Sequence, residues 1–125
     1  MTPTGISYTL YEPNIHDIVF HDVKYTTLDL FYVKMEDLLR ITPPREPVRL
    51  MLHTSQMPSI QYMTSRSRLL KQKYPNVQKA RVAIMYPQAL QIYLLNMAAH
   101  ALTHSSPVKL FHKDQTDQAR AWLSE

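Results

Sequence analysis

Residues 80–104, ARVAIMYPQALQIYLLNMAAHALTH, decide the fold. The stretch opens with an apolar run at residues 82–85, punctuated by Tyr86-Pro87. Beyond the turn, Leu90, Tyr93, Leu94, Met97, Ala98 and Ala101 recur at three- and four-residue spacing, the period of one helical face. A buried strand entering a helix through a tight turn is half of a βαβ unit, so an α/β chain is expected around it.

The flanks repeat the pattern. Toward the C-terminus, Ser105-Ser106-Pro107 breaks the helix, VKLF (residues 108–111) reads as a strand, and DQTDQARAWL (residues 114–123) as a last helix. Asp114 is its expected N-cap, with Ala119, Trp122 and Leu123 on the buried side. Toward the N-terminus, VRLML (residues 48–52) is a strand bounded by Pro47 and His53-Thr54-Ser55, and a helix over residues 59–74 closes at Pro75-Asn76. Before it, Leu28, Phe31, Met35, Leu38 and Leu39 form a helical stripe out to Ile41. Thr26 or Thr27 is the expected N-cap, Asp29 the acid of the first turn, and Thr42-Pro43-Pro44 the stop. SYTLY (residues 7–11) and IHDIVF (residues 15–20), joined by Glu12-Pro13-Asn14, should pair as an antiparallel hairpin.

The expected order is therefore ββαβαβαβα in one domain spanning residues 1–125. The fold class is α/β, a small mixed sheet made of an N-terminal antiparallel hairpin plus parallel strands joined by right-handed crossovers. The single glycine, Gly5, lies outside every expected turn, so the turns rely on Pro, Asn, Ser and Thr.

Composition bounds the function. With 45% apolar residues, the chain has enough for a packed core. No run approaches ~20 apolar residues, so no membrane span is expected. MTPTGISYTLYEP lacks a basic start and an apolar core, so no secretory signal is expected. The absence of cysteine excludes disulfide scaffolds and thiolate metal sites, and fits a cytoplasmic protein. Net charge is +4, but its one dense run (Arg66, Arg68, Lys71, Lys73, Lys79, Arg81) is interleaved with Leu69, Leu70 and Tyr74, as on the wet face of an amphipathic helix. No nucleic-acid-binding signature accompanies it, and no nucleic-acid partner is expected.

Three pieces carry a family resemblance: VRLMLHTSQMPSI, ARVAIMYPQALQIYLLNMAAHAL and VKLFHKDQTDQARAWL. In their order and spacing they resemble the SpoIIAA-like branch of the STAS fold, whose members often end in a strand, a Phe and an Ala-Trp-Leu helix. The likeness covers the chain from residue 48 onward; the N-terminal hairpin and first helix match in order and length. It implies a mixed sheet with helices largely on one side and no cofactor. It also implies relatives that bind proteins, nucleotides or lipid-like ligands. In the best-understood relatives a partner kinase phosphorylates a Ser at the start of the helix after the third strand, which blocks docking. The matching stretch here, Ile60-Gln61-Tyr62-Met63-Thr64, has no Asp, Ser or Gly, so no phosphoswitch is expected.

Chemistry is sparse. His100 and His104 share a helical face as paired ligands do, but Ala101 stands where a zinc hydrolase needs Glu, and no metal is expected. His16 and His21 fall on opposite faces of a strand. A chain with one glycine has no nucleophile elbow or phosphate-cradling loop, and no enzyme activity is expected. His53 differs: it ends a parallel strand, where ligands of open α/β sheets gather, and the helix starting near Ser59 could offer backbone N–H groups to an anion. His53, Thr54, Ser55, Ser59 and Tyr62 are thus the candidate ligand- or partner-binding residues. Met51, Met63, Met85 and Met97 read as core filler. Two functions are expected in turn: a non-enzymatic interaction or regulatory module with a protein partner or a second copy, or a domain binding a small anionic or lipid-like ligand.

Overall fold

The computed structural model describes residues 5–11, 13–43, 45–75, 80–88 and 108–125. The elements are β1 (Ile6–Tyr11), β2 (Ile15–Phe20), α1 (Tyr25–Ile41), β3 (Arg49–His53), α2 (Ile60–Lys73), β4 (Arg81–Tyr86), β5 (Val108–His112) and α3 (Thr116–Leu123). The helix expected after Tyr86-Pro87, with His100 and His104, lies outside the described residues.

The strands form one mixed sheet in chain order, β1-β2-β3-β4-β5. β1 is antiparallel to β2 and every other neighbouring pair is parallel. Because each crossover steps in the same direction and with the same hand, α1 and α2 lie on one face. Alternation along the strands then separates two cores. Ile18, Phe20, Leu50 and Leu52 point to the first face, where they meet Leu28, Phe31, Met35 and Leu38 of α1, with Tyr62, Met63 and Leu70 of α2 alongside. Ile15, Met51, Ala83, Met85 and Phe111 point the other way and are covered by Ala119 and Leu123 of α3. Each fully buried Leu or Ile contributes roughly 1.5–3 kcal/mol. Of the methionines expected in the core, Met51 and Met85 are buried and Met63 is partly so.

α1 and α2 are fastened by polar side chains. The Tyr32 hydroxyl donates to the Met63 carbonyl at 2.8 Å and lies 2.7 Å from Ser67 Oγ. Glu36 accepts from Lys73, from the Tyr74 hydroxyl at 2.9 Å and from Arg40 at 3.1 Å. These bonds hold its carboxyl down to about 2, the Lys73 bond contributing most. The basic run is therefore divided. Arg68 and Lys71 face solvent as expected, Lys73 bonds to α1, and Arg81 belongs to β4 and lies over the Trp122 ring, 4.2 Å from its centroid.

The helix starts differ from expectation. α1 begins at Tyr25 with Lys24 as N-cap, not at Thr26 or Thr27. Asp22 braces the chain just upstream: one carboxylate oxygen accepts from the Lys24 N–H at 3.0 Å and from the Thr27 hydroxyl, the other from the Gly5 N–H at 3.1 Å. Those bonds, the Thr27 one foremost, hold its carboxyl below the usual range. Asp29 falls beyond the first turn and serves α2 instead. α3 begins after Gln115, not Asp114, and its first-turn acid is Asp117. Gly5 has φ +79° and so occupies the left-handed region that favours glycine. Its carbonyl accepts from the His21 N–H at 2.9 Å, so Gly5 ties the start of β1 to the end of β2.

Candidate functional site

The carboxyl end of β3 holds a polar pair set into the sheet. His53 Nε2 lies 2.7 Å from Asp17 Oδ2. Register explains the contact: Asp17 is paired with Met51 across β2 and β3, and His53 is two residues further along the same face. Asp17 is buried among apolar neighbours, and the His53 side chain is 32% exposed. A carboxylate only accepts, so Nε2 carries a proton in this pair. The pair fixes the orientation of the imidazole and leaves Nδ1 outside it.

Among the described residues no hydroxyl is hydrogen-bonded to His53. On the same face Ser7 Oγ lies 2.6 Å from His21 Nε2, and Thr9 is paired with Asp17 across β1 and β2. His16 sits on the opposite face, its ring stacked on Tyr8 and its Nδ1 2.8 Å from the Tyr8 hydroxyl. Burial, and then Lys34, lower its pKa. Among the described residues no group of three or more His, Asp or Glu could hold a metal ion.

The five residues picked from sequence do not converge. Thr54 is buried in the turn after β3: its hydroxyl donates to the Gln56 carbonyl at 2.5 Å and its N–H donates to Met85 at 3.2 Å. Ser55 is exposed. Ser59 is the N-cap of α2, its hydroxyl accepting from the Tyr62 N–H at 3.3 Å. The Tyr62 hydroxyl donates to Asp29, which Arg66 also reaches at 2.6 Å, and its ring stacks on Tyr25 at 4.5 Å. Hydrogen bonds from Tyr62 first and Arg66 second hold the Asp29 carboxyl low, and the same Asp29 bond raises the Tyr62 phenol. The reason for the separation is strand parity. β3 runs through His53, which shares a face with Met51 beneath α3, whereas α2 and Tyr62 cover Leu50 and Leu52.

Sequence reasoning passed over Asp17 and the two arginines of this face. The signal for Asp17 was an acid at an interior position of IHDIVF, which requires a partner once buried. Arg49 donates to the Leu123 carbonyl at 2.8 Å, and Arg81 donates to the Trp122 carbonyl at 2.7 Å. Together they cap the carbonyl end of α3 with positive charge.

A different feature lies at the β1 side of the molecule. Tyr8, Leu10 and Tyr11 on β1, and Leu30, Val33 and Ile41 on α1, are all exposed. The two elements adjoin there, since the Lys34 ammonium lies 3.8 Å from the Tyr8 ring centroid. No helix among the described residues is long and apolar enough to cross a membrane. No protein-family model, curated protein or solved structure matches the chain.

Proposed function

We propose that this chain is a non-enzymatic, STAS-like interaction or regulatory module of the cytoplasm that docks a protein partner and lacks the usual phosphorylatable Ser motif. One observation carries the reading: the exposed apolar side chains Tyr8, Leu10, Leu30, Val33 and Ile41 lie along β1 and α1, which adjoin where Lys34 lies over the Tyr8 ring. Scattered apolar residues need no explanation, but a contiguous patch beside an open sheet edge marks an interaction surface. Ser59 and Tyr62 point the same way, because their hydroxyls already serve α2 and Asp29.

The test is affinity capture with the immobilised full chain, compared with its Val33→Lys variant and followed by mass spectrometry. A protein retained by the parent and lost from the variant is the expected result. Recovery of neither another protein nor a second copy of the chain above background, or equal recovery by both, would overturn the reading.

A second reading, binding of an anionic or lipid-like ligand, is favoured by one observation: His53 is pinned by Asp17 yet a third exposed at a strand end. It predicts that such a ligand raises the melting temperature of the parent and not of His53→Ala. No rise across a panel of carboxylates, phosphates and fatty acids would remove it.

A further inference from the structure

Among the described residues β1 has β2 as its one neighbour in the sheet, so half of its backbone groups face outward. The bond from the His21 N–H to the Gly5 carbonyl sets the phase. Alternate residues of an antiparallel strand turn both backbone groups toward the same neighbour. Gly5, Ser7, Thr9 and Tyr11 therefore address β2, and Ile6, Tyr8 and Leu10 address the open side. Residues 5–11 contain no charge and no proline, the devices by which natural sheets guard an edge.

This edge is complementary to itself. Centred on Tyr8, an antiparallel pairing of two such strands matches Tyr8 with Tyr8, Ile6 with Leu10, Ser7 with Thr9 and Gly5 with Tyr11. Apolar and aromatic pairs fall on the α1 face and a hydroxyl pair on the other. Each is a favourable cross-strand combination, and no like charges meet within the strands. That centre engages all of residues 5–11, and the three residues with outward hydrogen-bonding groups are also the three that supply the α1-face pairs.

We infer that β1 pairs antiparallel with β1 of a second copy of this chain, the two Tyr8 residues facing each other across a twofold axis and the sheets continuing through the interface. The inference rests on the interaction reading above and names the partner. The twofold sets both α1 helices on the same side of the joined sheet, so Leu30, Val33 and Ile41 of each copy flank the junction. Lys34 of each copy lies over its own Tyr8 ring near the axis, so association is strongest where salt screens the two ammoniums.

Sedimentation velocity on the full chain at about 0.15 M salt, where charges beyond ~8 Å are screened, should show mass rising with concentration from 14.6 kDa toward twice that value. Leu10→Lys should weaken association at least tenfold, whereas Leu69→Lys, an exposed apolar position on α2, should not; far-UV circular dichroism confirms that both fold. The register is tested separately. The chain has no cysteine, so Tyr8→Cys offers a single thiol that should oxidise rapidly to a covalent dimer. Paired Cα atoms there lie about 5.5 Å apart, within disulfide reach. Leu10→Cys sets its thiols four residues apart along the strands, about 14 Å, and should not. A species of 14.6 kDa at every concentration would overturn the inference, as would equal effects of Leu10→Lys and Leu69→Lys, or equal oxidation of the two cysteine variants. A monomeric chain that still captures a different protein through this flank would overturn self-pairing and leave the interaction reading standing. A monomeric chain that captures nothing would overturn both.

Discussion

Replacing Leu123 by Ala tests how α3 is held to the sheet. Leu123 is fully buried with Ile15, Met51, Ala83, Met85, Phe111 and Ala119. Leu→Ala at such positions costs about 2.7–5 kcal/mol, more where the cavity cannot collapse. An eight-residue helix is about 12 Å long and does not persist in water without its packing. Its end can therefore settle into the gap, which places the loss near the low end, about 3 kcal/mol. The arginine bonds to the Trp122 and Leu123 carbonyls survive the substitution because they engage backbone. The chain carries a single tryptophan, Trp122, on this helix, so its fluorescence reports α3 while far-UV circular dichroism reports the whole fold. In urea, with a slope of about 2 kcal/mol per molar, the fluorescence midpoint should fall by about 1.5 M. The dichroism midpoint should move less, since α3 leaves before the other face unfolds. Coincident midpoints with a loss under about 1 kcal/mol would refute the claim that Leu123 anchors α3.

Gly5→Ala should destabilise by about 1–2 kcal/mol, because the left-handed backbone at this position penalises any Cβ; an unchanged melting temperature would contradict this. His53→Ala should cost about 1–3 kcal/mol by leaving the buried Asp17 carboxylate unpaired, and Asp17→Leu combined with His53→Leu should recover much of it in urea titrations. Stability should fall as the medium is acidified. Asp22, Asp29 and Glu36 have lowered folded pKa values, so the unfolded chain binds their protons first; for Glu36 this loss runs from 4.5 down to about 2. His16, lowered from 6.5, acts with the same sign and starts the decline near that pH. Melting temperatures recorded from neutral to acid pH should decline throughout, and a flat profile would be inconsistent with these shifts.

The mixed sheet was legible because IHDIVF, VRLML and RVAIMY are short, β-branched or apolar runs bounded by turn residues, and because α1 carries an unbroken apolar stripe. The polar brace ahead of α1 was not. Asp22 precedes the helix and also binds Gly5, a contact created only when β1 returns alongside β2. The side chain of His53 could have been placed with Met51 by parity alone. What parity cannot supply is the face on which α2 lies, which depends on the strand order. The same holds for Asp17, whose partner is 36 residues away and meets it only because β2 and β3 are neighbours.

A sheet whose spatial order repeats its chain order has a consequence for how the molecule is made. Each crossover adds its strand to the edge exposed by the previous one, so a nascent chain can extend the sheet from its N-terminal hairpin without rearranging earlier strands. The contacts that must wait are those of α3 on the second face, where Arg49 meets the Leu123 carbonyl across 74 residues of chain. Until those last residues emerge, Met51, Ala83, Met85 and Phe111 remain uncovered. Emergence of α3 is thus the step that seals this face, and a chain shortened before Thr116 would have its sheet complete and one side still sticky.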